Sequence, residues 1–466
     1  MYKKIDDGIL SKLREVVGAE NVSTSSEDRE KYAHDEVAEL HHEPEAVVKA
    51  HSAKEISEIM KLAGKENFPI TPRGAGQGLS GGAVPVFGGV VLTLEEMDSI
   101  VEIDEENMMA WVEPGVITGN LQIELDKCGL FYPPDPASSD SCTIGGNIAE
   151  NAGGPHAIKY GVTKDYVVGL EAVLPSGEIV AMGGKVVKNV TGYNLIQLLI
   201  GSEGTLAIVT KILVRLLPLP KERVDLLVPF DDFRKAAKTV SDIIKSRIIP
   251  TALEFMERDS IEAVEKLLEK EAYFRDSAAH LLITLDGNDK GAVEADYEKI
   301  GGICLENGAE DVMVADNART RERMWEIRKM IIEALQNLSP EHIMDTQDVV
   351  VPRTRLPELL NRIKEVGSKY GIDIVSFGHS GDGNVHVNII KNVEESVWKE
   401  KAPKAAAEIY KLAVDLGGMV TGEHGIGVTR KKFLGLGVDE HQIRLMKMIK
   451  DDFDPQHVLN PGKIFP

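Results

Sequence analysis

Two histidines lie on either side of an Asp-Gly pair in the segment FGHSGDGNVHVN. Asp-Gly between strand-forming residues predicts a hairpin whose two-residue turn is Asp382 and Gly383. In that register His379 lies directly opposite His386, and Asn388 shares their face of the hairpin. Two facing imidazoles can bind a divalent metal. The alternative interpretation is a polar hairpin tip that binds no metal.

An acidic residue and a third histidine are adjacent in the segment TGEHGIG. Because consecutive side chains point in different directions, Glu423 and His424 can take different roles in one site. The Glu423 carboxylate would complete a His₂-carboxylate set, the composition of open catalytic metal sites, and His424 would stay free as a base. Taken alone, the segment favours a solvent-exposed glycine-rich loop.

A predicted helix, RMWEIRKMIIEAL, carries an arginine on its apolar face. At 100° per residue, Arg328 falls between Ile332 and Leu335, whereas Glu326 and Lys329 lie on the opposite face. An unpaired guanidinium is costly in apolar surroundings, so Arg328 needs an anionic partner. A substrate carboxylate held in a bidentate fork is one candidate. An internal Asp or Glu, or a position at the rim of the apolar face, is the alternative.

Glycine is concentrated in three stretches of the first half of the chain. The first, residues 73–82, is followed by Pro85, so no helix is expected at its end and a dinucleotide-type helix cradle is not predicted. Its N–H groups can instead form an anion-binding nest around a pyrophosphate. The stretches 143–154 and 201–204 can form further walls of the same site. Each stretch alone is also compatible with a flexible surface loop, but three in one domain favour a binding site.

The composition restricts the class of protein. The 466 residues include 53 Lys+Arg and 75 Asp+Glu, a formal net charge of −22, which argues against nucleic acid or an anionic bilayer as the main partner. Three cysteines without a C-x-x-C pair exclude a disulfide scaffold, a cysteine zinc site and a cysteine-ligated iron–sulfur cluster. No signal peptide, transit peptide or apolar run of about 18 residues is predicted, so we expect a soluble, cytoplasmic protein.

The order of the predicted elements indicates more than one domain. Up to about residue 220, short β-rich runs alternate with helices and glycine-rich turns, beginning with a βαβ unit that ends in FPITPRG. Beyond that point longer amphipathic helices alternate with strands, as in an antiparallel sheet covered by helices. We predict domains at 1–220 and 221–416, with residues 417–466 returning to the first.

Taken in order, the motifs resemble those of one flavoprotein family. PRGAGQGLSGG, YPPDPASSDSCTIGGNIAENAGG, GSEGTLAIVT, GHSGDGNVHVN, TGEHGIG and NPGKIF follow one another over nearly the whole chain. The series is similar to FAD-dependent 2-hydroxyacid dehydrogenases of the vanillyl-alcohol-oxidase class, a group with glycolate oxidase catalytic subunits, flavin D-lactate dehydrogenases and D-2-hydroxyglutarate dehydrogenases. The resemblance implies an α+β protein, with a two-subdomain α/β FAD-binding domain of the vanillyl-alcohol-oxidase type and an α+β cap domain containing an antiparallel sheet.

The resemblance also implies a set of FAD contacts in the glycine loops and at the chain end. The residues are Arg73, Gly74, Ala75, Gly76, Gln77, Ser80, Gly81, Gly82, Asp135, Thr143, Gly146, Asn147, Glu203, Gly204, Ile208 and Asn460. Relatives that bind the flavin covalently often carry a histidine in the first glycine loop, where this chain has Gln77. We therefore expect non-covalent FAD.

A metal site and substrate contacts are implied in the same way. The residues are His379, His386 and Glu423 for the metal, His424 for proton transfer, and Asn388 and Arg328 for the substrate. Zinc is the expected divalent ion, ahead of manganese or iron. Relatives with longer substrates place a lysine two residues before the D-x-x-x-P segment that begins here at Asp348, and this chain has Thr346 at that position. We therefore expect a small monocarboxylate such as D-lactate or glycolate.

The resulting hypothesis is oxidation of a small (R)-2-hydroxy acid to the 2-oxo acid, with hydride transfer to FAD N5. Electrons would pass to a separate acceptor, which is a carrier protein, a partner subunit, a quinone or O₂. The alternatives are a D-2-hydroxyglutarate dehydrogenase, a metal-dependent hydrolase using the same His/His/Glu site, and an inactive flavin-binding subunit. A homodimer and peripheral attachment to the membrane through a partner remain open.

Overall fold

The computed structural model describes residues 2–315, 317–339, 341 and 343–466. The chain forms two compact units. The first consists of residues 2–153, 162–219 and 423–466, and the second of residues 154–161 and 220–422. The chain thus enters the second unit briefly at residues 154–161, enters it again after Leu219 and leaves it after Gly422.

A four-stranded sheet at the beginning of the first unit is built around the predicted βαβ unit. Strand Ala46–Lys49, helix Ala53–Glu66 and strand Ile70–Arg73 follow one another, and both strands pair in parallel with Val90–Thr93. The two strands lie parallel on either side of Val90–Thr93, and the helix supplies the long crossover that parallel strands need. The strand therefore delivers Arg73 to the start of the first glycine loop. The other elements here are strand Val22–Ser23, helices Asp7–Val17 and Ser26–Lys31, and the 3₁₀ turn Ala19–Asn21.

The crossover helix is held by its apolar face. Ile56, Ile59, Met60 and Ala63 are fully buried in the core of the first unit, at the spacing that an amphipathic helix requires. Burial of each large side chain contributes roughly 1.5–3 kcal/mol relative to leaving it exposed. This packing fixes the sheet edge from which the glycine loop departs.

The first unit also contains a five-stranded antiparallel sheet. Its strands, in spatial order, are Ile100–Asp104, Met109–Val112, Ile208–Arg215, Val167–Val173 and Ile179–Gly183. Its other elements are the strand pair Leu130–Phe131 and Leu217–Pro218, helices Thr118–Lys127, Ile144–Glu150, Leu195–Leu199, Leu434–Gly437 and Glu440–Phe453, and the 3₁₀ turns Thr163–Asp165 and Lys431–Phe433. The two sheets are the two α/β parts that the sequence predicts for this region.

The second unit is a seven-stranded antiparallel sheet covered by helices, as predicted. Its strands, in spatial order, are Met313–Val314, Glu222–Phe230, Ala279–Gly287, Ala252–Glu257, Asp373–Gly378, Asn384–Ile390 and Met344–Val350. Its helices are Ala157–Tyr160, Phe233–Lys245, Arg258–Leu268, Lys290–Glu306, Ala318–Lys329, Ile331–Gln336, Leu356–Tyr370 and Glu395–Asp415, with a 3₁₀ turn at Arg353–Arg355. Strand Ala252–Glu257 pairs antiparallel with Ala279–Gly287 on one side and with Asp373–Gly378 on the other.

The predicted two-residue turn of the histidine hairpin is wrong. Phe377, not His379, pairs with His386, and the loop between the strands is five residues long, 379–383. A two-residue type I′ turn needs a positive φ at both central positions, but only Gly383 has one, at +88°. Asp382 instead donates its N–H to the His379 carbonyl at 3.2 Å. His379 therefore lies in the loop and His386 in the strand.

Across the described part of the chain, no helix combines the length and apolar content that crossing a bilayer would require.

Candidate active site

The first glycine loop presents its N–H groups rather than its carbonyl groups. The carbonyl oxygens of Gly78, Leu79 and Ser80 accept hydrogen bonds from elsewhere in the first unit. Among the described residues, no hydrogen bond is formed by the N–H groups of 75–80. A row of backbone donors of this kind is suited to an anionic group such as a pyrophosphate.

The second glycine stretch meets the first at Thr143. A Cβ on Gly74 would lie 2.3 Å from Thr143 Oγ1, and a Cβ on Gly76, whose φ is +76°, would lie 2.0 Å from Arg73 Nη2. Only glycine fits both positions without displacing a neighbour. Thr143 Oγ1 also accepts the Gly146 N–H at 3.3 Å and so caps the helix Ile144–Glu150. Two of the predicted cofactor-binding stretches therefore lie side by side.

The end of the chain returns to the same region. Asn460 Nδ2 donates to the carbonyl oxygens of Gly82, at 3.0 Å, and Glu203, at 2.8 Å. Among the described residues, Asn460 Oδ1, Arg73 Nε and Ser80 Oγ are buried without a hydrogen-bond partner. Buried polar atoms are normally paired, so these atoms indicate that a polar ligand completes the site. A dinucleotide with a pyrophosphate and with ring donors and acceptors fits this set of one donor (Arg73 Nε), one acceptor (Asn460 Oδ1) and one hydroxyl (Ser80 Oγ).

The third glycine stretch contacts the TGEHGIG segment. The Glu203 carboxylate accepts the N–H groups of Ile426, at 2.8 Å, and Gly427, at 2.7 Å. Burial raises the pKa of Glu203, although these two N–H groups oppose the shift. A Cβ on Gly153, in the second glycine stretch, would lie 2.8 Å from Glu423 Oε2. The segment that carries Glu423 and His424 is thus packed against the glycine-rich part of the first unit.

Three other predicted cofactor residues are buried or half-buried in the first unit. Asn147 is buried and donates from Nδ2 to Thr118 Oγ1 at 2.7 Å. Ile208 is buried in the hydrophobic core of the first unit, and Asp135 is half-buried. Their contacts with a cofactor remain predictions.

Arg328 has the internal anionic partner that was one of its two predicted alternatives. Its Nε donates to Glu254 Oε2 at 2.8 Å, its Nη2 lies 2.7 Å from the same oxygen in an ion pair, and its guanidinium carbon lies 4.8 Å from the centre of the Phe377 ring. Both side chains of the ion pair are buried. The contacts with Glu254 involve Nε and Nη2 of Arg328 but not Nη1.

Glu254 also orients His379. Its other oxygen, Oε1, lies 2.9 Å from His379 Nδ1. Burial alone would raise the pKa of Glu254, but His379 and Arg328 hold it below its ordinary value. A carboxylate on one ring nitrogen fixes a histidine so that the other nitrogen can bind a metal. Glu254 is not among the site residues predicted from the sequence, where its signal is a lone acidic residue inside the apolar strand run ALEFM.

His386 has a similar environment in the adjoining strands. Its ring centre lies 5.2 Å from that of His379 despite the changed register, and its Nδ1 lies 3.6 Å from Asp348 Oδ1. Asp348 is fully buried and accepts hydrogen bonds from Asn384 Nδ2, at 2.7 Å, and from Thr421 Oγ1, at 2.7 Å. Asp348 is a further candidate metal ligand or orienting carboxylate. From the sequence it is identified only as the first residue of the D-x-x-x-P segment.

Asn388 lies two residues after His386 in the same strand, so both side chains are on the same face of the sheet. Its Oδ1 accepts a hydrogen bond from Thr346 Oγ1 at 3.0 Å, and the two residues are paired across neighbouring strands. The position where longer-substrate relatives carry a lysine is therefore occupied by a short, neutral side chain that is bonded to Asn388.

Glu423 directly follows a residue that contacts Asp348. Gly422, the last residue of the second unit, donates its N–H to Asp348 Oδ2 at 2.9 Å. Glu423 follows it, and consecutive Cα atoms are about 3.8 Å apart. Within the first unit, His424 Nε2 lies 3.8 Å from Glu423 Oε1. Asp348 and His386 in one unit, and Glu423 and His424 in the other, are side chains of metal-binding type.

Two family models match most of the chain. The model described as "FAD binding domain" matches residues 44–183, and that described as "FAD linked oxidases, C-terminal domain" matches residues 219–464. Together with the glycine-lined site, these matches define the class: the chain belongs to the FAD-linked oxidase family. It is an FAD-dependent oxidoreductase, as the motif order predicted.

Individual relatives are similar from end to end. The chain is 41% identical to glycolate oxidase subunit GlcD of Bacillus subtilis, over 99% of this chain and 97% of the relative. It is 38% identical to a D-lactate dehydrogenase of Anaerostipes hadrus, over 99% and 98%. Its fold is that of substrate-bound p-cresol methylhydroxylase, with a TM-score of 0.82 and 19% identity over 100% of this chain and 98% of that structure. The last match shows the fold alone and confirms the vanillyl-alcohol-oxidase type.

Proposed function

We propose that the protein oxidises a small (R)-2-hydroxy acid, of the D-lactate or glycolate type, to the corresponding 2-oxo acid. The observation that carries the proposal is the end-to-end likeness, at 41% and 38% identity, to relatives named glycolate oxidase subunit and D-lactate dehydrogenase. Membership of an oxidase family argues against the metal-dependent hydrolase. Residues 1–220 and 417–466 are proposed as the FAD-binding domain and 221–416 as the cap.

The cofactor is proposed to be bound without a covalent link. The glycine loop supplies N–H donors for its pyrophosphate, while Arg73 Nε, Ser80 Oγ and Asn460 Oδ1 supply further polar contacts. Gln77 offers no nucleophile of the kind that a flavin link requires. FAD supplies the redox chemistry when bound, because it can take two electrons from the substrate.

Three side chains are proposed to hold a divalent metal: His379, His386 and Glu423. The fixed Nδ1 of His379 supports this role, because Glu254 leaves Nε2 directed elsewhere. Two imidazoles and a carboxylate suit zinc, and also manganese or iron. A metal at such a site would act as a Lewis acid toward the substrate hydroxyl.

The remaining residues are proposed to act on the substrate itself. His424 accepts the hydroxyl proton as general base. Arg328, held at Nε and Nη2 by Glu254, presents Nη1 to the substrate carboxylate, and Asn388 supplies a further hydrogen bond. The neutral Thr346 beside Asn388 favours a monocarboxylate over a substrate with a second, distal carboxylate. Electrons then pass to a separate acceptor, since the chain lacks a cysteine cluster.

Anaerobic reduction of the bound flavin tests the proposal. In the purified holoprotein, D-lactate or glycolate should bleach the flavin absorbance near ~450 nm, whereas L-lactate should not and D-2-hydroxyglutarate should do so poorly. Dithionite serves as the positive control for a reducible flavin. If dithionite bleaches the flavin and no 2-hydroxy acid does, the proposed activity is wrong and an inactive flavin-binding subunit is favoured.

Removal of the metal should lower the activity reversibly. Exhaustive dialysis against a strong chelator should reduce turnover at least about tenfold while leaving FAD bound, because the site would lose its Lewis acid. Addition of Zn²⁺ or Mn²⁺ should restore it, and His386→Ala should abolish the restoration, whereas His441→Ala, on an exposed helix, should not. Full turnover by a preparation in which elemental analysis finds no metal would reduce His379 and His386 to hydrogen-bonding roles.

A further inference from the structure

Glu203 occupies an unusual place for an acidic side chain. It is buried in the first unit with a φ of +53°, in the turn of the GSEG motif. Positive φ is uncommon for a residue with a side chain and persists only where the surroundings enforce it. Here the backbone carbonyl of Glu203 is held by Asn460 at 2.8 Å, and its carboxylate is directed at one stretch of backbone.

Both oxygens of the carboxylate bind that stretch. Oε1 accepts the Ile426 N–H at 2.8 Å and Oε2 accepts the Gly427 N–H at 2.7 Å. Hydrogen bonds to an ionised acceptor are about twice as strong as neutral ones, and a buried carboxylate that accepts two of them is costly to replace. Ile426 is two residues after His424, so Glu203 fixes the backbone that carries the proposed base.

The anchored backbone is confined on its other sides as well. Gly425, with a φ of +78°, is so close to Glu150 that a Cβ would lie 2.3 Å from Glu150 Oε2 and 3.1 Å from Glu203 Oε1. Gly427 donates nothing further, but its carbonyl accepts the Ile464 N–H at 2.9 Å. The segment 425–427 is therefore held by its two bonds to Glu203 and by the Ile464 N–H on the Gly427 carbonyl.

Glu150 and Glu203 are two buried carboxyl groups with different roles. The Glu203 carboxyl group accepts two backbone N–H groups, whereas Glu150 Oε2 has no hydrogen-bond partner among the described residues. Burial, and then the charge of Glu203, raise the pKa of Glu150 well above its ordinary value. Glu150 lies beside the anchor, and its Oε2 forms no hydrogen bond with segment 425–427, which makes it a matched control for substitutions.

We propose that Glu203 is a positioning residue for catalysis, which holds segment 425–427 and thereby the His424 imidazole in the geometry for proton transfer. The proposal rests on the proposed function, because it assigns the base role to His424. It differs from the cofactor contact predicted for Glu203, since the hydrogen bonds on which it rests are donated by protein N–H groups.

Glu203→Gln tests the proposal with three measurements on the holoprotein. The amide keeps the size of the side chain but presents an NH₂ group to one of the two N–H donors. Hydrogen exchange of a peptide covering 424–434 should become at least about tenfold faster, and kcat should fall by about 10²-fold with KM little changed. The FAD content, read from flavin absorbance, should stay at the wild-type level. Glu203→Asp, which keeps the charge, should give smaller changes in the same directions.

Control variants distinguish a positioning role of Glu203 from a cofactor-binding role and from failure of the proposed function. Glu150→Gln should leave the exchange of the 424–434 peptide unchanged, and the exposed Glu178→Gln should leave exchange and turnover unchanged. Unaltered exchange in both Glu203 variants overturns the proposal, and so does loss of FAD from them, which would make Glu203 a cofactor ligand. Faster exchange with unchanged kcat overturns the positioning role. If no 2-hydroxy acid reduces the flavin of the wild-type protein, the proposed function is wrong. The hydrogen exchange of the 424–434 peptide then still shows whether Glu203 holds segment 425–427.

Discussion

His424→Ala is expected to lower kcat by about 10² to 10⁴-fold, the contribution that a positioned general base makes to proton transfer. The bound FAD should remain at the wild-type level, because the cofactor contacts are assigned to the glycine loops and to Asn460 rather than to His424. His424 is largely buried, with 13% of its side chain exposed, so the substitution also leaves a small cavity. The flavin spectrum and the thermal midpoint should therefore be measured beside turnover.

A matched control isolates the catalytic effect of His424. His441→Ala removes an imidazole from the exposed face of the helix Glu440–Phe453 in the same unit, so turnover should stay within about twofold. The pH profile adds a second criterion, because loss of the base should remove the rise of kcat with pH that a neutral imidazole gives. Unchanged turnover in His424→Ala would exclude this residue from the mechanism.

Glu254→Gln is expected to cost about 3–5 kcal/mol of unfolding free energy, the largest stability effect predicted for the second unit. The cause is electrostatic. The substitution leaves the Arg328 guanidinium, whose side chain is only 6% exposed, without the carboxylate that it contacts at 2.7 Å. An uncompensated buried charge is far more costly than the loss of a surface ion pair. Denaturant unfolding of the apoprotein measures the change.

Two further variants make the test specific. Glu262→Gln removes the carboxylate of an exposed pair with Arg258 at 2.6 Å, and it should cost less than about 1 kcal/mol. The double variant Glu254→Gln/Arg328→Met removes the unpaired cation as well, so it should be more stable than Glu254→Gln alone. Equal losses in the single and double variants would contradict the electrostatic explanation.

The same substitution should weaken metal binding if His379 is a ligand. Without the Glu254 carboxylate on Nδ1, the imidazole loses the partner that fixes its tautomer and orientation, so the metal affinity should fall by about 10 to 100-fold. Competition with a chromogenic chelator measures this affinity separately from turnover. Unchanged affinity would show that Glu254 serves Arg328 alone.

Local sequence was most informative where chemistry is encoded by a run of neighbouring residues. Residues 73–82 indicated a loop without a following helix, and the structure has such a loop, whereas its binding of an anion stays a prediction. The spacing around Arg328 indicated a buried cation, and the structure buries it in an ion pair. Both inferences depend only on helix periodicity or on backbone freedom, which act over a few residues.

The register of the histidine hairpin could not be obtained in the same way. Asp-Gly is a strong signal for a two-residue turn, but Gly381 donates its N–H to the Leu253 carbonyl on a neighbouring strand at 3.0 Å. That contact joins residues more than 120 positions apart in the chain, and it accompanies the widening of the loop to 379–383. His379 lies in the loop and is not paired with His386, but the centres of the two rings are still only 5.2 Å apart.

By itself, the amino-acid sequence determined the cofactor class, the two kinds of sheet and the types of side chain available for proton transfer and metal binding, because each of these follows from local periodicity and ordered motifs. Only the tertiary structure decided which carboxylate serves which group. Glu254 for Arg328 and His379, and Glu203 for the backbone after His424, are partners separated by 74 to 224 residues. A single acidic residue in a strand or turn has no local preference among such partners; burial selects them, because a charge removed from water must find its counterpart wherever the fold has brought one.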